Sequence, residues 1–91
     1  MARRDESYLL YTFKSPHVTI KSQKVMEGLQ TKIIPVLREI SESCGMALKV
    51  NLTDLDASLE RIRASEIAAW NLYRIEIVSG ELNLTLLEKK E

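Results

Sequence analysis

The sequence predicts one small α+β domain, with two helices packed on one face of a mixed β-sheet. Short apolar stretches typical of strands interchange with two stretches whose apolar residues recur every three or four positions. Hydrophobic residues make up 45% of the 91 residues, which suffices for a single core. The predicted order is ββαβαββ over residues 1–91, with a C-terminal β-hairpin and with residues 1–7 and 88–91 frayed.

The first three predicted elements lie on either side of a Ser-Pro break. Residues 8–14 are apolar on both alternating faces, as in a strand that is covered on two sides. Residues 18–20 resume as a short strand, and Ser22 is placed to cap the helix that follows. Apolar spacings of three and four predict this helix to about residue 43, kinked at Pro35 and ended by Gly45.

The rest of the chain predicts a strand, a second helix and the hairpin. Residues 46–52 alternate between apolar and other side chains, as in a half-buried strand. The Thr53–Asp56 stretch has the spacing of a capping box for a helix that ends near Ser65. Residues 72–78 and 82–86 form the hairpin strands, and the Ser-Gly pair between them is a two-residue turn.

The composition contains little from which an active site is built. Thirteen Lys and Arg balance thirteen Asp and Glu, and the chain has one His and one Cys. Catalytic and metal sites need several convergent groups, so we expect no enzyme activity, no metal and no cofactor. There is no signal-peptide pattern and no apolar run of about 20 residues, so we expect a cytoplasmic protein without a membrane partner.

Four residues invite a chemical role that a structural role explains better. His17 follows the Ser-Pro pair and is expected to be an exposed turn residue. Cys44 is expected to be buried and unreactive at the C-terminal end of the first helix, because a reactive thiolate is favoured at helix N-termini or beside cations. Asp54 and Asp56 are expected to cap the second helix and not to bind a metal.

We expect the protein to act by contact, as a homodimer, an adaptor or a subunit of a larger complex. The first strand carries large side chains on both faces, more than two short helices can cover. An uncovered apolar face or an edge strand is a ready protein-binding surface, and aromatic residues are enriched there. For Trp70 the core is weighed against the interface and is the favoured place. The expected interface residues are Tyr8, Leu9, Tyr11, Phe13 and Trp70.

The alternative function is nucleic-acid binding through a mild basic edge formed by Lys14, Lys21 and Lys24, in a stretch without acidic residues. From residue 18 onward the predicted order is strand, helix, strand, helix, strand, strand, and residues 18–25 read Val-Thr-Ile-Lys-Ser-Gln-Lys-Val. This order resembles the Alba-like chromatin and RNA-binding family and the C-terminal domain of bacterial translation initiation factor three. The resemblance implies that Lys21 and Lys24 contact phosphates. The formal net charge of zero makes this the less favoured function.

Overall fold

A five-stranded sheet and two helices form the protein in a computed structural model that describes residues 5–37, 39–40 and 44–91. The elements in chain order are β1 (Glu6–Thr12), α1 (Pro16–Val25), β2 (Thr31–Pro35), β3 (Met46–Val50), a 3-10 turn (Leu52–Asp54), α2 (Leu55–Ala64), β4 (Trp70–Val78) and β5 (Glu81–Lys90). None of the helices in these residues is long and apolar enough to cross a membrane.

The sheet confirms the α+β class and corrects its details. The strand order is β2-β3-β1-β4-β5, and every neighbouring pair is antiparallel, so the prediction of a mixed sheet was wrong. β2 runs in the same direction as β1, but β3 lies between them, so the two never pair. The second and third elements are a helix and then a strand, which is the reverse of the expected succession.

The Ser-Pro pair begins α1 and does not break a hairpin. The Ser15 hydroxyl accepts a hydrogen bond from the Val18 amide at 3.3 Å, and Pro16 takes the first helical position, where no amide hydrogen is needed. Residues 18–20, expected as a strand, therefore lie inside the helix. The strand-to-helix junction on which the Alba-like resemblance depends is absent from these residues.

The first helix is much shorter than its apolar spacing predicted. α1 ends at Val25, and Thr31–Pro35 pair with β3 as an edge strand. Pro35 stands at the end of this strand, where its missing amide hydrogen costs nothing. Gly45 is left-handed as expected, with φ at +89°, but it leads into β3 and does not end a helix. The remaining positions of the predicted helix, Arg38 and residues 41–43, lie outside the described residues.

The second half of the chain follows the prediction closely. β3, α2 and the hairpin are confirmed, and Ser79 and Gly80 both have positive φ angles, 52° and 81°, as a type I′ turn requires. The cap of the preceding 3-10 turn is Asn51, whose side chain accepts from the Thr53 amide at 3.1 Å. Residues 88–91 are not frayed as a group, because β5 stays paired with β4 as far as Lys90. Of residues 1–7, the first four lie outside the described residues, and β1 begins at Glu6.

Two apolar cores cover the two faces of the sheet. Both helices pack on one face, as predicted, where Leu9, Leu48 and Leu72 meet Met26 of the α1 end and Ile62 of α2. On the opposite face, side chains of the connection between β2 and β3 cover the centre of the sheet. These are Val36, Leu37 and Ile40, which pack with Tyr8, Leu10, Ala47, Ile75 and Ile77. The sheet is therefore the middle of three layers.

Candidate functional site around Cys44

Cys44 lies in the connection between β2 and β3, beside the end of β1. Its amide donates to the Phe13 carbonyl at 3.1 Å, and the carbonyl of the next residue, Gly45, accepts from the Val36 amide at 3.0 Å. These two backbone hydrogen bonds join the cysteine to β1 on one side and to the end of β2 on the other. The thiol is therefore presented from a fixed backbone, and the residue is half-buried.

Two polar groups contact the sulfur. The Cys44 Sγ lies 3.4 Å from the Thr19 Oγ1 and 3.6 Å from the Met46 carbonyl oxygen. A neutral thiol donates its hydrogen to the Met46 carbonyl. A thiolate has no hydrogen to donate, and the Thr19 hydroxyl can donate to it only by turning from the Ser15 carbonyl, to which it donates its one hydrogen. This hydroxyl is fully buried and also lies 3.2 Å from the Ser15 carbonyl oxygen, which holds it close to the sulfur.

The contact with Thr19 places the sulfur against the N-terminal half of α1. Thr19 is the fourth residue of this ten-residue helix. Negative charge is favoured near a helix N-terminus, where amide dipoles point towards it. The expectation that Cys44 is buried at a helix C-terminus was wrong, because α1 ends nineteen positions earlier, at Val25. The sulfur instead lies beside Thr19, in the N-terminal half of α1.

The basic residues of the alternative function lie around α1. Lys14 follows β1, and Lys14 and Lys21 line a cleft of about 270 Å³ against the segment that follows α2. The Lys21 ammonium forms an exposed ion pair with Glu66 at 3.3 Å, and Lys24 is exposed near the other end of the helix. His17 is exposed in the first turn of α1, as expected. Nucleic-acid contact by these lysines stays a prediction.

The five side chains expected at a protein interface belong to the protomer's own core. Tyr8 is 5% exposed, and the other four are more deeply buried. Tyr11 and Trp70 meet edge to face, with ring centroids 5.8 Å apart, and the Tyr11 hydroxyl lies 2.8 Å from Ser58 of α2. A partner must therefore meet another surface. The residues concerned are Tyr8, Leu9, Tyr11, Phe13 and Trp70.

Among the described residues, no group of three or more His, Cys, Asp or Glu side chains is arranged to hold a metal ion. Asp54 precedes α2, but its side chain makes no capping hydrogen bond, so the expected cap is absent at this position. The side-chain cap in this region is Asn51, which caps the preceding 3-10 turn. Cys44 belongs to no such group, and a hydroxyl and a carbonyl lie beside its sulfur.

The comparison with protein families identifies the chain. A family model described as "Putative Se/S carrier protein-like" matches residues 8–74. The protein belongs to this family, and the match runs from β1 into β4 and includes Cys44. No curated protein and no solved structure matches the chain.

Proposed function

We propose that the protein carries sulfur or selenium bound covalently to Cys44. A carrier of these elements needs a nucleophile that forms a bond to sulfur or selenium, and a cysteine thiolate is the residue suited to this chemistry. The chain has one cysteine, which lies within the matched part of the family. The observation that carries the proposal is this single thiol, half-buried on a fixed backbone with a hydroxyl oxygen at 3.4 Å.

Loading is a transfer of one sulfur atom between thiols. The Cys44 thiolate attacks the outer sulfur of a persulfide donor, R–S–SH, and a new S–S bond forms at Cys44. The S–S bond of the donor breaks, and its electron pair leaves on the donor sulfur, which is released as the thiol R–SH once it takes up a proton. Cys44 then carries the group S–SH. A donor R–S–SeH loads selenium by the same step, and neither transfer has a net oxidation or reduction.

The lone cysteine favours a carrier over a thiol–disulfide oxidoreductase. An oxidoreductase uses a second thiol to displace the first partner and to close a disulfide. This chain has no second cysteine, so a group on Cys44 cannot be displaced from within the same chain. The load is released only when the thiol of another molecule attacks it.

Carriage by one thiol has three consequences for how the protein works. The protein transfers its load to a protein or small-molecule acceptor, so it acts through contact and needs no cofactor of its own. A reducing compartment keeps the free Cys44 thiol from oxidising and so available for loading, and the proposal therefore includes a cytoplasmic location. The match of residues 8–74 to the family supports carriage itself, from which these consequences are argued.

Loading is tested by intact-mass spectrometry of the reduced chain after exposure to a small-molecule persulfide. The wild-type protein is expected to gain one sulfur atom, and a reducing dithiol is expected to remove it. Cys44→Ser keeps the size of the side chain and is expected to gain none. Equal gain by both proteins, or no gain by the wild type, would contradict the proposal.

A further inference from the structure

β5 is an open edge of the sheet with an apolar surface. Among the described residues only β4 pairs with it, and nine of its ten residues have a partner there. Three of its leucines are exposed over more than a third of their surface. They are Leu84 (36%), Leu86 (49%) and Leu87 (42%). An exposed edge with such side chains favours pairing with another strand.

The register of the hairpin shows which backbone groups of β5 are available. Val78 and Glu81 close a two-residue type I′ turn, so these two residues exchange hydrogen bonds. The bonding alternates along the strands, so the amide and carbonyl groups of Leu82, Leu84 and Leu86 point away from β4. These three leucines also share one sheet face, because they pair with Ile77, Ile75 and Tyr73.

The opposite edge of the sheet is protected where β5 is not. β2 has five residues and ends at Pro35, which has no amide hydrogen to offer a further strand. β5 is twice as long and contains no proline. Its one irregularity is a register shift opposite Leu72 and Tyr73, which leaves Leu87 without a partner on β4. The part of β5 before this shift is regular.

We propose that two copies of the chain pair through β5 as antiparallel strands, with Leu84 opposite the partner's Leu84. In this register Leu82 lies opposite the partner's Leu86, and the outward backbone groups of one strand meet those of the other. All six leucines then lie on one face of a continuous ten-stranded sheet. Asn83 lies opposite the partner's Thr85 on the other face, so the two polar side chains face each other and not a leucine. The strand is complementary to itself only in the antiparallel sense.

The charges at the two ends of β5 favour the same arrangement. At its start, Glu81 is exposed and the Asp5 carboxylate accepts from the Ser79 amide at 2.8 Å. At its end, Lys89 and Lys90 are exposed. Glu88 pairs with Arg63 at 2.5 Å and Lys89 pairs with Glu91 at 3.3 Å, so Lys90 is the basic group whose charge these two pairs leave unbalanced. Antiparallel pairing brings the acidic end of each strand to the basic end of the other.

Light scattering after size-exclusion chromatography tests the pairing, over about 5–500 µM because an interface of one strand pair is small and dissociates readily. The wild type is expected to reach the mass of two chains at the upper concentrations. Leu84→Lys is expected to weaken dimerisation at least tenfold, because it places like charges opposite each other at the two-fold axis. Leu86→Glu is a second variant that is expected to act in the same direction.

The matched control is Val78→Lys. Val78 is 55% exposed on β4, and it points to the other sheet face because it is one residue out of step with Ile77. This variant is expected to dimerise like the wild type. A wild type that stays monomeric throughout, an assembly larger than two chains, or equal weakening by the control would overturn the proposal. Thermal melting of each variant separates lost pairing from lost folding, and none of these results depends on the chemistry of Cys44.

Discussion

Two buried threonines differ in their hydrogen bonds, and the difference bears on Cys44. The Thr19 hydroxyl contacts both the Cys44 sulfur and the Ser15 carbonyl, whereas the equally buried Thr12 Oγ1 has no partner within the described part of the chain. A buried hydroxyl without a partner costs free energy, and one that donates to a charged acceptor stabilises it. The same substitution is therefore expected to act differently at the two positions.

Thr19→Val is expected to slow alkylation of Cys44 by iodoacetamide at neutral pH. The variant removes the hydroxyl that contacts the sulfur and that can donate to a thiolate by turning from the Ser15 carbonyl. The expected loss is roughly three- to tenfold, equivalent to about 1 kcal/mol. Thr19→Ser keeps the hydroxyl and should retain most of the rate. Thr12→Val is the matched control: it should leave the rate unchanged and raise the free energy of unfolding, by about 1 kcal/mol. Equal rates in Thr19→Val and wild type would show that the hydroxyl does not act on the sulfur.

Tyr11 makes stability depend on pH at alkaline values. The Ser58 hydroxyl donates to the Leu55 carbonyl at 3.0 Å, so the Tyr11 hydroxyl donates to Ser58. Burial raises the pKa of Tyr11 to about 12 from its ordinary value of 10.0. The unfolded chain therefore loses this proton first, and stability that is complete below pH 10 falls as the pH rises towards 12.

The expected slope approaches 1.4 kcal/mol per pH unit between these two pKa values, since one proton separates the folded and unfolded states. Urea unfolding at several pH values measures it. Tyr11→Phe should be less stable at neutral pH and should show a shallower fall in the alkaline range. A wild type and a variant with parallel pH dependence would show that Tyr11 is not the responsible group.

At the scale of elements, α1 is stabilised at its end by α2. The Arg61 guanidinium donates to the Glu27 carbonyl at 2.7 Å and to the Val25 carbonyl at 3.3 Å. The last carbonyls of a helix lack partners within the helix, so a cation that bonds to them stabilises its end. This contact joins α1 to α2 on the face of the sheet that the two helices cover.

Arg61→Gln is expected to lower the free energy of unfolding by about 1–2 kcal/mol, because two charge-assisted bonds to carbonyls are lost. Arg63→Gln is the control in the same helix. Arg63 forms an exposed ion pair with Glu88, and such pairs contribute at most about 1 kcal/mol. Chemical denaturation of both variants gives the comparison. An equal loss in both would show that Arg61 acts as a surface charge and not as a cap.

Local sequence patterns predicted some elements and failed at others for a definite reason. The alternation in β3 and the Ser-Gly turn of the hairpin are local signals, and each was enough to predict its element correctly. The spacing of Val25, Leu29 and Ile33 also fits a helix, yet these residues end α1, follow it and lie in β2. All three face the same core, so burial produced a helical spacing without a helix. The Ser-Pro pair begins α1, but the apolar residues that follow it led to the prediction of a strand there.

At the scale of the whole molecule, the sequence predicted surplus apolar surface but not its position. The large side chains of β1 are covered on one face by the helices and on the other by the connection between β2 and β3. That cover depends on long-range packing, which no local pattern of β1 contains. The exposed leucines lie on β5, and their exposure follows from its place at the sheet edge.

The position of Cys44 could not be predicted for the same reason. A helix extended to residue 43 would have placed the sulfur at a helix C-terminus, whereas the hairpin of β2 and β3 brings it to the N-terminal half of α1. The contacts with Phe13 and Thr19 join residues that are 31 and 25 positions apart. The residue was visible as the one cysteine of the chain, and the role that we propose for it rests on the fold and on the family match.

The most direct test of carriage is whether a load on Cys44 can be passed on. Protein loaded with one sulfur atom is separated from its donor and mixed with a small-molecule thiol acceptor, and both are followed by mass spectrometry. We expect the acceptor to gain the sulfur while the protein returns to its free thiol and stays folded. Sulfur that remains on the protein, or a Cys44 that ends in a disulfide between two chains, would contradict a carrier.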